Sequence, residues 1–206
     1  ILLMLNQRSQ ILRWLVLALL LALFVAVVFL APLEKTLGQT IRLVYVHAAF
    51  TRAGMLGFYA CGLLGLIIAV KNNIRIQSWT QTAAWVSFVL FVLGGIFSVF
   101  AQQASWGGVP LAEPRVRMSM TMTAVIVILL LLNEWIPWIR VRGLLYVAIA
   151  GYIAWVLPRT PLVLHPENAG GTSPSTWIRL AFPVLTALAL LLGLWFVMYI
   201  KSPEKL

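Results

Sequence analysis

Charged residues, cysteine and histidine are all scarce in this chain of 206 residues, which has one cysteine and two histidines. Charged residues make up 10% and hydrophobic residues 62%, whereas a soluble domain carries roughly 25% charged residues. This excludes a water-soluble fold and predicts an all-α integral membrane protein, a single domain over residues 1–206. The lone Cys61 excludes an intrachain disulfide, a CxxC motif and a covalently attached c-type haem.

Acidic residues are the rarest charged class: there are 5 of them against 15 lysines and arginines, which gives a net charge of +10. In a soluble protein this excess would suggest nucleic acid. Here the basic residues lie mainly at the ends of apolar runs, where they anchor helices and meet anionic lipid. The expected partner is therefore the lipid bilayer, and nucleic acid is not expected.

Six apolar runs approach the length of about 20 residues that a membrane-spanning helix needs. They cover approximately 11–31, 43–70, 82–101, 119–138, 143–157 and 177–200. We expect the short fifth run to extend into its flanks and to end at Pro158 and Pro161. The first run is long for a cleaved signal peptide and predicts a retained helix. Because the sequence starts at Ile1 rather than Met, we expect residues to precede it.

The connections between the runs predict the topology. Short basic links at 71–75 and 140–143 fall on the same side as both termini. Longer loops fall on the other side, at 32–42, 102–118 and 158–176. Of the 15 basic residues, eight lie on the first side and seven on the second. Setting aside Arg52, Arg115 and Arg117 as candidate site residues leaves four on the second side. This favours termini in the cytoplasm and a multi-pass protein of the cytoplasmic (inner) membrane.

Both histidines lie at predicted membrane edges on the second side: His47 starts the second run, and His165 precedes the sixth. Neutral imidazole is the commonest metal ligand among side chains. His47 shares a helix face with small residues, which mark close helix packing, so we expect it to point into the bundle. This ridge of small residues recurs every four positions: Ala53, Gly57, Cys61 and Gly65. From position alone, the alternative is an interfacial histidine bonded to a carbonyl or a headgroup.

Three arginines are candidate anion ligands on the same side. Arg52 lies about one and a half turns deeper than His47, where an arginine faces a cavity or an anion, or extends to the near interface. Arg115 and Arg117 follow Trp106 in the loop 102–118, whose apolar middle suits an interfacial segment or the floor of a ligand site. Guanidinium groups match carboxylates, although both arginines equally suit lipid headgroups.

Residues 41–49, Ile-Arg-Leu-Val-Tyr-Val-His-Ala-Ala, resemble the R-I-x-Y-x-H-x-P/A-A run that opens the second helix of CcmC-like haem-handling proteins. These belong to the CcmC/CcmF/CcsA group of cytochrome c maturation. Six spans, a loop between spans 3 and 4, and a histidine before span 6 are also similar.

The resemblance implies that a non-covalent haem b binds on the extracytoplasmic face, with His47 and His165 as axial ligands. Arg52, Arg115 or Arg117 would meet its propionates. The iron would be held rather than used for turnover, so no enzyme activity is implied. The implied partners are the haem chaperone and the ATP-binding-cassette transporter components of cytochrome c maturation.

The tryptophan-rich signature of these proteins, W-G-T-W-W-V-W-D-x-R, falls on residues 106–117 and is partly present. The positions that match in kind are Trp106, Gly107, Glu113 and Arg115, and those that have lost tryptophan are Val109, Pro110 and Ala112. Bis-histidine ligation needs two imidazoles and an apolar slot, so haem binding is expected even without haem delivery. Two alternatives remain: an accessory subunit of a larger respiratory or photosynthetic membrane complex, and a haem-free scaffold or permease.

Overall fold

The structure is a computed structural model and describes residues 2–164 and 173–202. Within them the chain forms six long helices: α1 Leu2–Leu30, α2 Ile41–Lys71, α3 Ile74–Trp106, α4 Pro114–Trp135, α5 Ile139–Val156 and α6 Thr176–Ile200. A short 3-10 turn, Leu157–Arg159, continues α5. In these described residues, six helices are long and apolar enough to cross a membrane, which confirms the prediction of a helical multi-pass membrane protein.

The helices extend beyond the apolar runs, and this corrects two predicted connections. The loop expected over 102–118 shrinks to 107–113, because α3 continues to Trp106 and α4 begins at Pro114. Arg115 and Arg117 therefore lie in the first turn of α4 rather than in a loop. The Glu113 side chain fixes that start by accepting a hydrogen bond from the backbone N–H of Val116, at 2.8 Å. Likewise, the turn expected at 140–143 lies at 136–138.

The two ends of the bundle carry different connections. We call one the histidine end, which holds His47 and the segments 31–40 and 107–113. We call the other the terminal end, where the described chain starts and stops. There Trp14 of α1 packs against Trp195 of α6 with ring centroids 5.5 Å apart. Arg13 donates a hydrogen bond to Ser202 Oγ at 2.7 Å. Helix α1 at Arg13 and Trp14 and the last turn of α6 therefore pack together at the terminal end.

Helix α2 is the central helix and packs against α3, α5 and α6. Its small residues allow close approach: a Cβ on Gly65 would lie 2.5 Å from the carbonyl oxygen of Gly143 on α5. On the α3 side, a Cβ on Gly54 would lie 2.8 Å from the backbone nitrogen of Phe91. The predicted ridge does face the bundle, since Ala53, Cys61 and Gly65 are buried and Gly57 abuts Ser87.

A buried polar cluster joins α3, α4 and α5 at the terminal end. Gln77 Nε2 donates to Asn133 Oδ1 and to the Tyr146 hydroxyl, both at 3.2 Å. The Tyr146 hydroxyl donates to Asn133 Oδ1 at 3.0 Å, and Asn133 Nδ2 donates to the carbonyl of Arg142 at 2.9 Å. Hydrogen bonds between membrane helices contribute about 0.6–2 kcal/mol each, so this cluster fixes the register of three helices.

Candidate functional site

His47 lies half-buried on the second turn of α2, against α3. Its Nδ1 is 2.9 Å from the carbonyl oxygen of Gly94 and 3.3 Å from Thr51 Oγ1, one turn along α2. Because a carbonyl oxygen only accepts hydrogen bonds, Nδ1 carries the proton and donates it to Gly94. The unshared pair of the neutral ring is then on Nε2. In metal-binding histidines, one ring nitrogen commonly donates to a backbone carbonyl in this way while the other ring nitrogen binds the metal.

Gly94 allows this contact because it has no side chain. A Cβ at this position would lie 2.3 Å from Thr51 Oγ1 and 2.6 Å from the Thr51 backbone nitrogen. Any larger residue would push α3 away from α2 and take the carbonyl out of reach of His47. The inward direction of His47 was predicted from the sequence, but its partner was not. The signal for it was the pair Gly94-Gly95 in the middle of an apolar run.

The three predicted arginines lie on different surfaces. Arg52 is about 140° around α2 from His47 at 100° per residue, and its guanidinium carbon is 5.3 Å from the ring centre of Phe182 on α6. Arg117 is exposed, and its Nε donates to the carbonyl of Leu111 at 3.1 Å, which ties α4 to the preceding loop. Arg115 is half-buried, and among the described residues its buried Nε has no hydrogen-bond acceptor. Of these three arginines, Arg115 therefore has a buried donor available for an anionic ligand.

Trp106 is the last residue of α3, at the rim of the histidine end. Its side chain is 39% exposed, and Gly107 ends the helix in the left-handed conformation with φ 73°. At 1.5 Å per residue, Trp106 stands about 18 Å along α3 from Gly94. The one tryptophan that matches the signature thus lies at the rim.

Gln102 is a buried polar residue of α3 that the sequence interpretation missed. Its side chain is 7% exposed, and its Nε2 donates to Ser98 Oγ at 2.8 Å. Within the described part of the chain its Oε1 receives no hydrogen bond. Buried polar atoms nearly always have partners, so Gln102 Oε1 and Arg115 Nε, together with the buried Nε of Arg42, mark unfilled polar positions at the histidine end. The signal for Gln102 was the pair Gln102-Gln103 after an apolar run.

His165 lies outside the described residues, so its pairing with His47 stays a prediction. In residues 2–164 and 173–202, no group of three or more His, Cys, Asp or Glu side chains could hold a metal ion. A haem held by two axial ligands needs no such group. Comparisons with protein-family models, with characterised proteins and with solved structures gave no match to this chain. The family suggested by residues 41–49 therefore also stays a prediction.

Proposed function

We propose that this protein binds haem b at the histidine end and handles it for cytochrome c assembly, as the resemblance to CcmC-like proteins implies. His47 and His165 would be the axial ligands. The observation that most supports this is the 2.9 Å contact from His47 Nδ1 to the Gly94 carbonyl. That hydrogen bond orients the ring, and Nε2 would then be the ligating atom. Bound there, the haem would supply an iron centre, which His47 and His165 would hold.

The remaining donors at the histidine end fit a ligand with carboxylates. Arg115 has a buried Nε for which the described residues offer no acceptor, and a guanidinium group matches a carboxylate better than any other cation. Arg52 extends over the Phe182 ring and adds positive charge on the α6 side. We infer that Arg115 is the first candidate for a propionate and that Arg117, which already donates to Leu111, is the weaker one.

The setting of this site is also part of the proposal. The histidine end would face the extracytoplasmic side of the cytoplasmic membrane, with the termini in the cytoplasm. The protein would hold haem without turnover, and its partners would be the haem chaperone and the ATP-binding-cassette components. The replaced tryptophans of segment 107–113 favour a second candidate, an accessory subunit of a larger membrane complex that keeps the haem but does not deliver it.

Oxidised and reduced absorption spectra of the purified protein test haem binding. We expect a six-coordinate low-spin spectrum in the wild type. In His47→Gly and His165→Gly we expect a five-coordinate spectrum or loss of haem, with rescue by added imidazole. Rescue separates ligation from folding, because imidazole replaces only the ligand. The control is Gln103→Ala, which changes an exposed residue of α3 at the histidine end. A wild type that stays haem-free after reconstitution, or glycine variants with unchanged spectra, would contradict the proposal.

A deletion strain separates the two candidate functions. Loss of c-type cytochromes supports haem handling. Normal c-type cytochromes, together with co-purification of the haem-bearing protein in a larger complex, support the accessory subunit instead.

A further inference from the structure

A long groove runs along the outside of the bundle between α3 and α6, with α1 at its edge. Its volume is about 720 Å³, within the roughly 300–1,000 Å³ range of small-molecule sites. Its walls are mainly apolar and include Leu21, Trp85, Val89, Leu93, Leu192 and Phe196. Val89 and Phe196 are 54% and 43% exposed, so the groove opens toward the lipid rather than into the core.

The groove ends in polar residues at the terminal end, where Gln81, Thr82 and Lys201 line it. Gln81 and Trp85 are already bonded, because both donate to the carboxylate of Glu134 on the neighbouring helix α4. Lys201 lines the groove, and its Nζ donates to Ser78 Oγ on α3, which holds the ammonium group beside the groove. An ammonium group has three N–H donors, so this bond leaves it able to bind an anion as well.

The dimensions of the groove match one leaflet of a bilayer. From Gln81 to Leu93, α3 rises about 18 Å at 1.5 Å per residue, against roughly 15 Å for half of the hydrocarbon core. Spread over that length, 720 Å³ corresponds to a cross-section of about 40 Å². A helix about 10 Å across needs roughly twice that area. A groove of this cross-section suits hydrocarbon chains, and a whole helix would not fit inside it.

We propose that this groove binds an anionic phospholipid, with its acyl region along α3 and α6 and its phosphate on Lys201. The positive charge at the polar end selects the headgroup, since a lysine near anionic lipid attracts it electrostatically. Lys201 directly follows the last residue of α6, at the level where headgroups lie. The headgroup end of the groove, at Gln81 and Lys201, is at the opposite end of the bundle from His47, and none of the residues that line the groove is a proposed haem ligand.

Native mass spectrometry after reconstitution in mixed phosphatidylglycerol and phosphatidylcholine tests this site. We expect the wild type to retain phosphatidylglycerol in preference to phosphatidylcholine. Lys201→Gln should reduce that preference roughly fivefold, the factor that corresponds to about 1 kcal/mol for one lysine. Val89→Trp should fill the groove and abolish retention. Ile128→Trp on α4, whose side chain is equally exposed at 54%, is the matched control and should retain the lipid.

Three outcomes would overturn the proposal. One is equal lipid retention in Val89→Trp and Ile128→Trp, and another is an unchanged headgroup preference in Lys201→Gln. The third is a wild type that retains no lipid but co-purifies with another protein, which Val89→Trp displaces. That result would make the groove a protein interface.

Discussion

Replacing Gly94 by alanine would add one methyl group where α2 and α3 approach most closely beside His47. The new Cβ would lie 2.6 Å from the backbone nitrogen of Thr51 and 3.0 Å from its Cα. Ordinary contacts between such atoms are about 3.5–4.0 Å. Backbone atoms cannot rotate away as a side chain can, so the two helices must separate by roughly 1 Å at this level.

The separation has two energetic consequences. Overpacking of a close helix contact costs about 1–3 kcal/mol of stability. In addition, the contact between His47 Nδ1 and the Gly94 carbonyl oxygen, now 2.9 Å, would lengthen beyond hydrogen-bonding distance, because distances above about 3.5 Å no longer count as such bonds. Loss of the hydrogen bond that orients a metal-binding histidine typically lowers metal affinity by about 10–100-fold. Gly94→Ala should therefore weaken both the fold and the proposed haem binding.

Thermal unfolding and haem titration in the same detergent measure the two effects. Gly95→Ala is the matched control, because a Cβ on the adjacent glycine meets nothing within 4 Å and alanine favours a helix over glycine. If Gly94→Ala unfolds at the same temperature as Gly95→Ala, the close approach of α2 and α3 is refuted. If stability falls while haem affinity is unchanged, the Gly94 carbonyl does not orient the ligand.

Two further predictions concern other parts of the fold. Gly143→Ala should lower the free energy of unfolding by about 1–3 kcal/mol, because its Cβ would lie 2.6 Å from the Gly65 carbonyl oxygen. The control is Gly151→Ala on the same helix, whose Cβ meets nothing within 4 Å and which should be neutral. Equal unfolding temperatures of the two variants would refute the contact. At Glu34, outside the spans, the backbone N–H of Leu37 lowers the pKa of the carboxyl group. The carboxylate therefore stabilises its turn above the ordinary glutamate pKa and loses that effect as the pH falls through the lowered value. As the pH falls through that value, hydrogen exchange of the Leu37 amide should become faster in the wild type than in Glu34→Gln, whose side chain does not titrate. An identical pH profile of exchange in both proteins would contradict a bond from Leu37 to the ionised carboxylate.

The number and order of the helices were predictable because a bilayer demands apolar runs of a certain length. Their ends were not. The third run was expected over 82–101, and α3 covers Ile74–Trp106, because the polar turns outside the hydrocarbon carry no apolar signal. Gln77 is an example of a residue whose burial the sequence pattern does not predict. It falls in such a turn, where a glutamine suggests solvent, yet it is fully buried against Asn133 and Tyr146.

Part of the candidate site was predictable, because helix geometry alone relates sequence spacing to a helix face. The spacing of small residues along α2 placed His47 toward the bundle, since that pattern depends only on helix geometry. Its partner depends on the register of α2 against α3, which no single-helix pattern contains. Arg52 and Arg115 were grouped with His47 because all three lie near one membrane edge. Their separation onto the α6 side and the start of α4 is set by helix rotation and by the true beginning of α4 at Pro114.

Two of the close contacts of α2 allow stability and ligand affinity to be separated. Near the histidine end, α2 meets α3 at Gly94, whose carbonyl also bonds to His47. Farther along, α2 meets α5 at the Gly65–Gly143 contact, about 27 Å from His47 along the helix. A methyl group at either position loosens α2, but only one of them moves an atom bonded to the histidine. If haem binding depends on the orientation of His47, Gly94→Ala must lower haem affinity more than Gly143→Ala at equal loss of stability. Equal effects would mean that haem binding, where it occurs, follows the general integrity of the bundle rather than this one hydrogen bond.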